Sequence, residues 1–415
     1  MNVLHISTND TNGGAARATY RLHKGLRNLG VNSQMLVQEK YSNDNTVFAP
    51  ELRLFQGIAR AKLTFEALPL KLYRQREQTT FSLQWLPDKV LPQVTQIAPD
   101  IINLHWVSGG FMQIETITKL QRPLVWTLHD MWAFTGGCHT SGDCDRYKAS
   151  CGACPILSSN KDWDLTRWVW QRKAKAWKNL NLTIVSPSSW LAKCASSSSL
   201  FQNLRTEVIP NGLDTQIYRP INQPTARELL NLPQDKQLIL FGAIQATSDK
   251  RKGFHLLQPA LRELSKAGWK DRLEIVIFGA SQPENPPDLA FKTHYLGHLY
   301  DDLTLATVYS AGNVMVVPSL QEAFGQTASE SLACGTPVVA FNATGLKDIV
   351  DHQENGYLAK PFEVDDLAKG IAWVLENHQR YQKLSDYARE QAKQKFSIET
   401  ITHRYLSLFK DIYGK

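Results

Sequence analysis

Residues 318–341 constrain the fold of this chain most, because they pass from strand to loop to helix and back to strand within 24 residues. The apolar run Val314–Val317 comes directly before them, and Gly325 interrupts the loop that follows. Small residues then form a helical pattern, and Gly-Thr-Pro at residues 335–337 leads into a β-branched strand. This order predicts an α/β sheet in which the loop faces a ligand.

Two glutamates in this stretch predict a site for an elongated ligand. On one continuous helix, the eight-residue spacing of Glu322 and Glu330 would place their carboxylates about 12 Å apart and about 80° off a common face. Because Gly325 breaks the helix, we expect Glu322 in the loop and Glu330 in the helix body. The amides of Gly325, Gln326 and Thr327 would then be unpaired donors suited to a phosphate. The alternative is an ordinary capped helix with two solvated acids.

The length of 415 residues exceeds one ordinary core and predicts two domains of about 200 residues. Hydrophobic content of 43% and charged content of 20% are those of a soluble globular protein. The apolar runs have the length of strands rather than of membrane spans. The chain passes from Met1 directly into the strand-like residues 3–6, without the pattern of a signal peptide, so we expect a cytoplasmic protein.

The net charge of +7 lies in the first half of the chain. Residues 1–213 hold 24 Lys and Arg against 15 Asp and Glu, whereas residues 214–415 hold 22 against 24. No nucleic-acid-binding motif accompanies the basic charge. We therefore expect the first half to meet a membrane surface or a phosphorylated acceptor rather than nucleic acid.

Strand and helix patterns alternate along the first half. Strands are predicted at residues 2–7, 31–38, 101–106, 124–128 and 182–185, and Gly13 and Gly14 precede an amphipathic helix at residues 15–29. This alternation predicts a parallel sheet, which binds its ligands at the carboxyl ends of the strands. His105, Trp106, His129 and Asp130 follow two of these strands. His129 is the strongest candidate for a ligand contact, and the alternative for each histidine is a satisfied structural residue.

Two segments of the first half combine basic residues with large apolar ones, at residues 52–78 and 163–178. The combination is typical of a membrane surface, and also of helices on which long basic side chains cover apolar neighbours. In the second segment Trp163, Trp170 and Trp177 recur at every seventh residue, so we expect one buried helix face there.

Four of the six cysteines fall within 17 residues: Cys138, Cys144, Cys151 and Cys154. Disulfides are disfavoured in a chain without a secretory signal. A closed tetrahedral site for a structural zinc ion is the leading interpretation, with His139 as a reserve ligand. The alternative is four free thiols, because the spacing is not that of a standard zinc ribbon.

A second α/β series begins after the turn at residues 210–214. Strands are predicted at residues 238–241, 273–278, 294–296 and 314–317, and helices at residues 254–266 and 302–310. We expect an N-terminal domain at residues 1–213 and a C-terminal domain at residues 214–395. Two such domains joined by a turn predict a cleft that takes a large ligand.

An ordered set of short motifs resembles glycosyltransferase family 4. The motifs lie at residues 210–214, 252–253, 278–279, 322–325 with Glu330, 333–339 and 355–356. The resemblance spans nearly the whole chain, and it implies the GT-B fold, with two Rossmann-like domains facing a central cleft. By this resemblance the domain at residues 1–213 would lie on the acceptor side, and the domain at residues 214–395 would bind the nucleotide-sugar donor. In this fold the last helix, here at residues 396–415, commonly packs back on the first domain. The cysteine-bearing loop resembles the colanic-acid and capsular-polysaccharide branch of the family.

The resemblance implies a role for each candidate residue. The donor-binding set would be Gly13, Gly14, Arg251, Lys252, Glu322, Phe324, Gly325, Gln326, Thr327 and Glu330. Glu330 would hold the donor ribose, Glu322 the transferred sugar and Lys252 the diphosphate. His129, Glu322 and Lys252 would carry the catalysis, and Arg17, His105, Trp106 and Asp130 would lie on the acceptor side.

One position departs from the family pattern. The family usually has an arginine two residues after the first strand of the second domain, where this chain has Ala243. Lys250 or Arg251 would have to replace that arginine, because positioned positive charge is what a leaving diphosphate requires. The family works without a divalent metal, so the resemblance implies no cofactor for catalysis beside the structural zinc.

The sequence therefore predicts a retaining glycosyltransferase that moves a sugar from a nucleotide-diphosphate donor to a saccharide acceptor. We expect this acceptor to be lipid-linked and to belong to cell-surface polysaccharide synthesis. Peripheral association with the inner face of the membrane would bring it to such an acceptor. One alternative is a catalytically silent nucleotide-sugar-binding subunit, which Ala243 favours. Another is a nucleotide-sugar epimerase, which would need proton-transfer groups in the cleft and no acceptor.

Overall fold

The computed structural model describes residues 1–49, 62, 64–243 and 247–414. The chain forms two compact units. The first unit consists of Met1–Pro210 together with Thr402–Lys415, and the second unit consists of Asn211–Ile401. Each unit is built on its own parallel sheet.

The first unit contains a sheet of seven parallel strands in the order β3-β2-β1-β4-β5-β6-β7. Its strands are β1 (Asn2–Asn9), β2 (Asn32–Glu39), β3 (Val47–Phe48), β4 (Ile101–Leu104), β5 (Leu124–Thr127), β6 (Leu182–Ser186) and β7 (Thr206–Val208). Its helices are α1 (Gly14–Asn28), α2 (Val90–Ile97), α3 (Leu165–Trp177) and α4 (Ser189–Ser196). The strand order places β1, β4 and β5 side by side, and the predicted site residues of this half follow the ends of these strands.

The second unit contains six parallel strands in the order β10-β9-β8-β11-β12-β13. They are β8 (Gln237–Gly242), β9 (Leu273–Phe278), β10 (Thr293–Tyr295), β11 (Val314–Val317), β12 (Val338–Phe341) and β13 (Gly356–Ala359). The helices are α5 (Gln223–Leu229), α6 (Phe254–Leu264), α7 (Asp302–Ala311), α8 (Gln326–Ala333), α9 (Val364–Glu376) and α10 (His378–Phe396). Along β8, Leu238 and Leu240 pack in one core layer, whereas Ile239 and Phe241 pack in another. The sheet is therefore covered on both faces, which confirms the predicted α/β architecture.

The last helix, α11 (Ile398–Tyr413), is assigned to the first unit from Thr402 onward. Its Tyr405 hydroxyl lies 3.1 Å from Thr127 Oγ1 at the end of β5. Phe409 is fully buried one helical turn later. The apolar face of α11 thus completes the core beside the central strands of the first sheet.

The predicted tryptophan face is wrong in part. Helix α3 begins at Leu165, because the side chain of Asp164 caps it by accepting from Thr166 N and Arg167 N. Trp163 precedes the cap and is 72% exposed, whereas Trp177 is buried. Of the basic and apolar segment at residues 52–78, residues 52–61 and 63 lie outside the described residues.

Candidate functional site

Two loops of the second unit meet at Gly253 and Pro318. Gly253 has φ +73 and begins α6 directly after Lys252. A Cβ atom at Gly253 would lie 1.8 Å from the carbonyl oxygen of Pro318, so only glycine fits this position. Leu320 N donates a hydrogen bond of 2.8 Å to Arg251 O beside this contact. The loop before α6 is thereby held against the loop that follows β11.

This junction brings Lys252 to Glu322, as the shared donor site would require. Lys252 Nζ donates to Glu322 Oε1 at 2.6 Å, and Ser319 Oγ donates to the same oxygen at 3.0 Å. The side chains of Lys252 and Glu322 remain 25% and 17% exposed. A partly exposed ammonium next to a carboxylate can exchange this bond for contacts with a charged or hydroxyl-bearing ligand.

Helix α8 begins at the predicted place, directly after Gly325. Gly325 has φ +114, and a Cβ atom there would lie 2.7 Å from Leu346 Cδ2. The N-cap residue of α8 is Gly325, which has no side chain to cap the first turn. The positive end of the helix dipole therefore provides a place for an anion in the same loop as Glu322.

Glu330 lies in the body of α8, as predicted, and it is buried. The hydroxyl of Tyr309 on α7 donates to Glu330 Oε2 at 3.0 Å. Burial, together with the Glu330 charge, raises the pKa of Tyr309 well above its usual value, so this hydroxyl keeps its proton. A ligand hydroxyl that binds Glu330 would share the carboxylate with Tyr309.

Phe324 does not present its ring to a ligand. It is 3% exposed and packs edge-on against Phe396, with ring centroids 5.7 Å apart. Its contribution to a donor site is therefore confined to its backbone. The prediction that its side chain binds the donor receives no support from this geometry.

Arg251, the candidate replacement for the missing arginine, is held by Asp249. Its guanidinium donates to both carboxylate oxygens, from Nη2 at 2.6 Å and from Nε at 3.1 Å. This bidentate pairing directs its positive charge to Asp249. Ala243 is the last described residue before the gap at residues 244–246. Lys252 is thus the cation that stands directly beside Glu322.

Gly13 and Gly14 form the start of α1 at the carboxyl end of β1. Gly13 has φ +97, and Arg17 N donates to Gly13 O at 3.0 Å. A Cβ atom at Gly13 would meet no atom within 4 Å. The first turn of α1 is therefore open to close approach of a ligand, and Arg17 lies half-buried on that turn.

Three histidines of the first unit form one line of hydrogen bonds. His105 Nδ1 lies 3.0 Å from His129 Nε2, and His105 Nε2 lies 3.0 Å from His5 Nδ1. His5 and His105 are fully buried, and burial lowers the pKa of both well below the usual value. Burial also lowers the pKa of His129 to about 4, although the neighbouring Asp130 opposes this shift. All three imidazoles are therefore neutral at pH 7.

Trp106 and Asp130 lie in contact, and the Asp130 carboxylate accepts hydrogen bonds from its neighbours in the fold. Asp130 Oδ2 accepts from Trp106 Nε1 at 2.7 Å and lies 2.6 Å from His139 Nδ1, while Oδ1 accepts from Trp132 N at 2.8 Å. Burial alone would raise the pKa of Asp130, but His139 and these hydrogen bonds hold it below its usual value. His139 Nε2 lies 2.9 Å from Ser82 Oγ, so both ring nitrogens of the reserve zinc ligand already have partners.

The cysteines give the predicted zinc site no support in this structure. All six are free, and no group of three or more His, Cys, Asp or Glu side chains among residues 1–49, 62, 64–243 and 247–414 could hold a metal ion. Burial raises the pKa of Cys151 to about 12 and that of Cys154 to about 11. The structure gives the zinc interpretation no support.

The predicted site residues thus fall into two groups, one in each unit. The sequence did not indicate three hydrogen-bonding partners of the predicted site residues. These are His5 for His105, Ser319 for Glu322 and Tyr309 for Glu330. A histidine inside the apolar run of β1 was the one available signal for His5, because a buried imidazole needs a hydrogen-bonding partner.

Comparisons with known proteins cover almost the whole chain. A family model described as Glycosyltransferase Family 4 matches residues 12–217, and one described as Glycosyl transferases group 1 matches residues 222–391. A D-inositol 3-phosphate glycosyltransferase from Saccharomonospora viridis is 33% identical over 217 residues, 48% of this chain and 48% of that protein. Another, from Geodermatophilus obscurus, is 35% identical over 202 residues, 45% of this chain and 43% of that protein. The chain thus spans about half the length of the curated relatives it matches.

Solved structures share the whole fold at low identity. Sucrose-phosphate synthase from Thermosynechococcus elongatus matches with a TM-score of 0.68 and 20% identity over 100% of both chains. Anabaena HepE in complex with UDP and glucose matches with a TM-score of 0.63 and 16% identity over 99% of both chains. The two family models and the two parallel sheets agree with this likeness. The chain has the GT-B fold and belongs to the glycosyltransferases of family 4.

Proposed function

We propose that the chain transfers a sugar from a nucleotide-diphosphate sugar to a saccharide acceptor. The observation that carries this proposal is the contact between Lys252 and Glu322 beside the start of α8. A cation, a carboxylate and a set of helix amides in one loop pair match the diphosphate and the hydroxyls of such a donor. The names of the similar proteins, D-inositol 3-phosphate glycosyltransferase and sucrose-phosphate synthase, agree with this activity.

The reaction breaks the bond between the sugar's anomeric carbon and the diphosphate oxygen. The electron pair leaves with the diphosphate, whose charge Lys252 and the first turn of α8 stabilise. The acceptor hydroxyl attacks from the same face through an oxocarbenium-like state, and its proton passes to the departing phosphate oxygen. Glu322 and His129 position the sugar, and the product keeps the configuration of the donor.

Glu330 provides the ribose contact in this proposal. Its carboxylate is fixed by Tyr309, so it is oriented before the donor arrives. The glycines at the start of α1 allow the backbone to approach the diphosphate or the acceptor. Because HepE is described in complex with UDP and glucose, a UDP-sugar is the first donor to test.

A lipid-linked acceptor at a membrane surface is supported by one exposed surface of the first unit. Large apolar side chains are exposed there: Phe65, Leu68, Leu72, Trp163 and Trp168. The segments at residues 52–78 and 163–178 meet where Leu165 N donates to the Tyr73 hydroxyl at 3.2 Å. Lys71, Arg74 and Lys175 lie in the same segments, and aromatic and basic residues together suit an anionic interface. Within the described residues, no helix has the length and apolarity to cross a membrane.

A silent nucleotide-sugar-binding subunit is the second candidate, because Ala243 replaces an arginine and Arg251 is paired with Asp249. An activity assay on the purified chain distinguishes the glycosyltransferase from the silent subunit. A glycosyltransferase hydrolyses or transfers the sugar of at least one nucleotide-diphosphate sugar, whereas a silent subunit is stabilised by the nucleotide and turns nothing over. Nuclear magnetic resonance of the product then tests the stereochemistry, since an inverted anomeric carbon would contradict the front-face reaction.

A further inference from the structure

The line of imidazoles from His5 to His129 crosses three neighbouring strands of the first sheet. His5 lies in β1, His105 follows β4 and His129 follows β5. The nitrogen-to-nitrogen distances are 3.0 Å at both links, and the ring centroids lie 5.2 Å and 5.3 Å apart. Hydrogen bonds from His105 N to Ile6 O and from Trp126 Nε1 to His105 O fix the middle residue in the sheet.

Each of the two hydrogen bonds in the line holds one hydrogen, so both bonds are donated in the same direction along the line. A neutral imidazole carries one N–H and one acceptor nitrogen. Both nitrogens of His105 are used within the line, so it donates to one neighbour and accepts from the other. Either the terminal hydrogen is on His5 Nε2 at the buried end, or it is on His129 Nδ1 at the other end. The tautomer of His129 is therefore coupled to that of His5.

The surroundings of His5, at the buried end of the line, decide which of the two hydrogen-bond directions is adopted. His5 Nε2 is buried and has no hydrogen-bond partner in the described part of the chain. A hydrogen placed there would be an unpaired buried donor, which native structures avoid. With the opposite direction that nitrogen is only an acceptor, and the free N–H lies on His129, which is half-buried rather than buried. The Asn103 amide nitrogen lies 3.5 Å from His5 Nδ1, and its oxygen accepts from Thr127 Oγ1 at 3.0 Å. The proposed direction requires a half-turn of this amide, which presents its oxygen to His5 Nδ1 and leaves the Thr127 hydroxyl as the acceptor.

We propose that His5 and His105 are positioning residues that hold His129 in the tautomer with its hydrogen on Nδ1. His129 then donates a hydrogen bond to an oxygen of the bound sugar. The direction of the line rests on geometry alone, whereas the identity of the ligand oxygen rests on the proposed function. The two buried histidines of the sheet thereby determine that His129 Nδ1 is a hydrogen-bond donor to a ligand.

Nitrogen NMR of the full chain with ¹⁵N-labelled histidine reads this tautomer directly. His129 is assigned by the signal that is lost in His129→Gln. The proposal predicts that Nδ1 of His129 carries the hydrogen at pH 7. A hydrogen on Nε2 would overturn it, and this measurement on the unmodified chain needs no further variant.

His105→Phe removes both links and keeps a ring of similar size. We expect His129 to lose its single tautomer and the kcat for transfer to fall about tenfold, equivalent to about 1.4 kcal/mol. An unchanged His129 tautomer in a folded His105→Phe chain would overturn the proposal. His23→Phe is the matched control, since His23 meets the His5 ring edge-on at 6.0 Å while its nitrogens bond Ser33 and Thr46.

The readouts separate this proposal from the proposed function. The predicted tautomer in a chain that turns over no donor would contradict the glycosyltransferase assignment and leave the line of imidazoles intact. The opposite tautomer in an active enzyme would contradict the line of imidazoles alone.

Discussion

Lys252 Nζ donates to Glu322 Oε1 at 2.6 Å across 70 residues of sequence. The contact exists because Gly253 lets the backbone before α6 pass directly against Pro318. Neither side chain is fully buried, so the pair can open when a ligand with its own charges binds. The contact joins the cation expected to bind the diphosphate to the carboxylate expected to bind the sugar.

Lys252→Ala and Glu322→Ala are each expected to lower turnover at least tenfold, about 1.4 kcal/mol of barrier. The reason is loss of the positive charge that stabilises the leaving diphosphate in one variant and of the sugar contact in the other. Steady-state kinetics measure both effects. Lys266→Ala is the matched control, because Lys266 forms a 2.8 Å ion pair with Glu263 at an exposed position. Full activity in either site variant would refute the assignment.

Gly253→Ala is expected to destabilise the second unit more than Gly268→Ala does. Both glycines have positive φ, at +73 and +86, so both substitutions strain the backbone by about 1 kcal/mol. At Gly253 the new methyl group would also collide with the Pro318 carbonyl, whereas nothing lies within 4 Å at Gly268. Differential scanning calorimetry compares the two melting temperatures. Equal shifts would show that the two loops are not in close contact.

The first unit is expected to lose stability as the pH falls from about 6.5 to about 4. Burial keeps His129 neutral in the folded state down to a pKa of about 4, whereas an unfolded histidine takes up a proton near its usual pKa of 6.5. The unfolded state then binds more protons, so each such histidine lowers the free energy of unfolding by up to about 1.4 kcal/mol per pH unit.

Denaturation followed by tryptophan fluorescence measures this pH dependence, because nine of the eleven tryptophans lie in the first unit. His105→Phe should flatten the slope, since it removes one buried imidazole. His378→Gln, at the exposed start of α10, serves as the control. A free energy of unfolding that stays constant across this pH range would contradict the neutral state of the three rings in the folded protein.

Leu72→Ser and Trp163→Ser are expected to weaken binding to vesicles that contain anionic lipid. Their side chains are 82% and 72% exposed, so the substitutions remove apolar contact area without disturbing the core. Co-sedimentation with vesicles measures the change. Leu229→Ser in the second unit is the matched control, because this leucine is 68% exposed outside the basic and aromatic surface. Equal binding of all three variants would remove the support for membrane contact.

The strands of the second unit could be read from the sequence because they are continuous apolar runs between turn residues. The predicted strands at residues 273–278 and 314–317 agree with β9 and β11 at both ends. The start of α8 after Gly325 was also predictable, since a glycine with positive φ ends one element and begins the next. In these places local chemistry alone determines the structure.

Tertiary contacts account for most of what the sequence did not predict. The seven-residue tryptophan spacing describes a helix face only inside a helix, and the Asp164 cap excludes Trp163 from α3. The link between His5 and His105 depends on β1 and β4 being neighbours, which strand order decides and sequence spacing does not. The cysteine spacing predicted a metal site, and the described residues contain no group of three or more His, Cys, Asp or Glu side chains that supports it.

Release of nucleoside diphosphate from a nucleotide-diphosphate sugar tests the central claim most directly. The purified chain is incubated with a panel of donors, first UDP-sugars, with and without saccharide acceptors, and the diphosphate is quantified. The proposed function predicts slow release without acceptor, faster release with one, and a loss of at least tenfold in Lys252→Ala. A chain that is stabilised by these donors yet releases no diphosphate under any condition would contradict it.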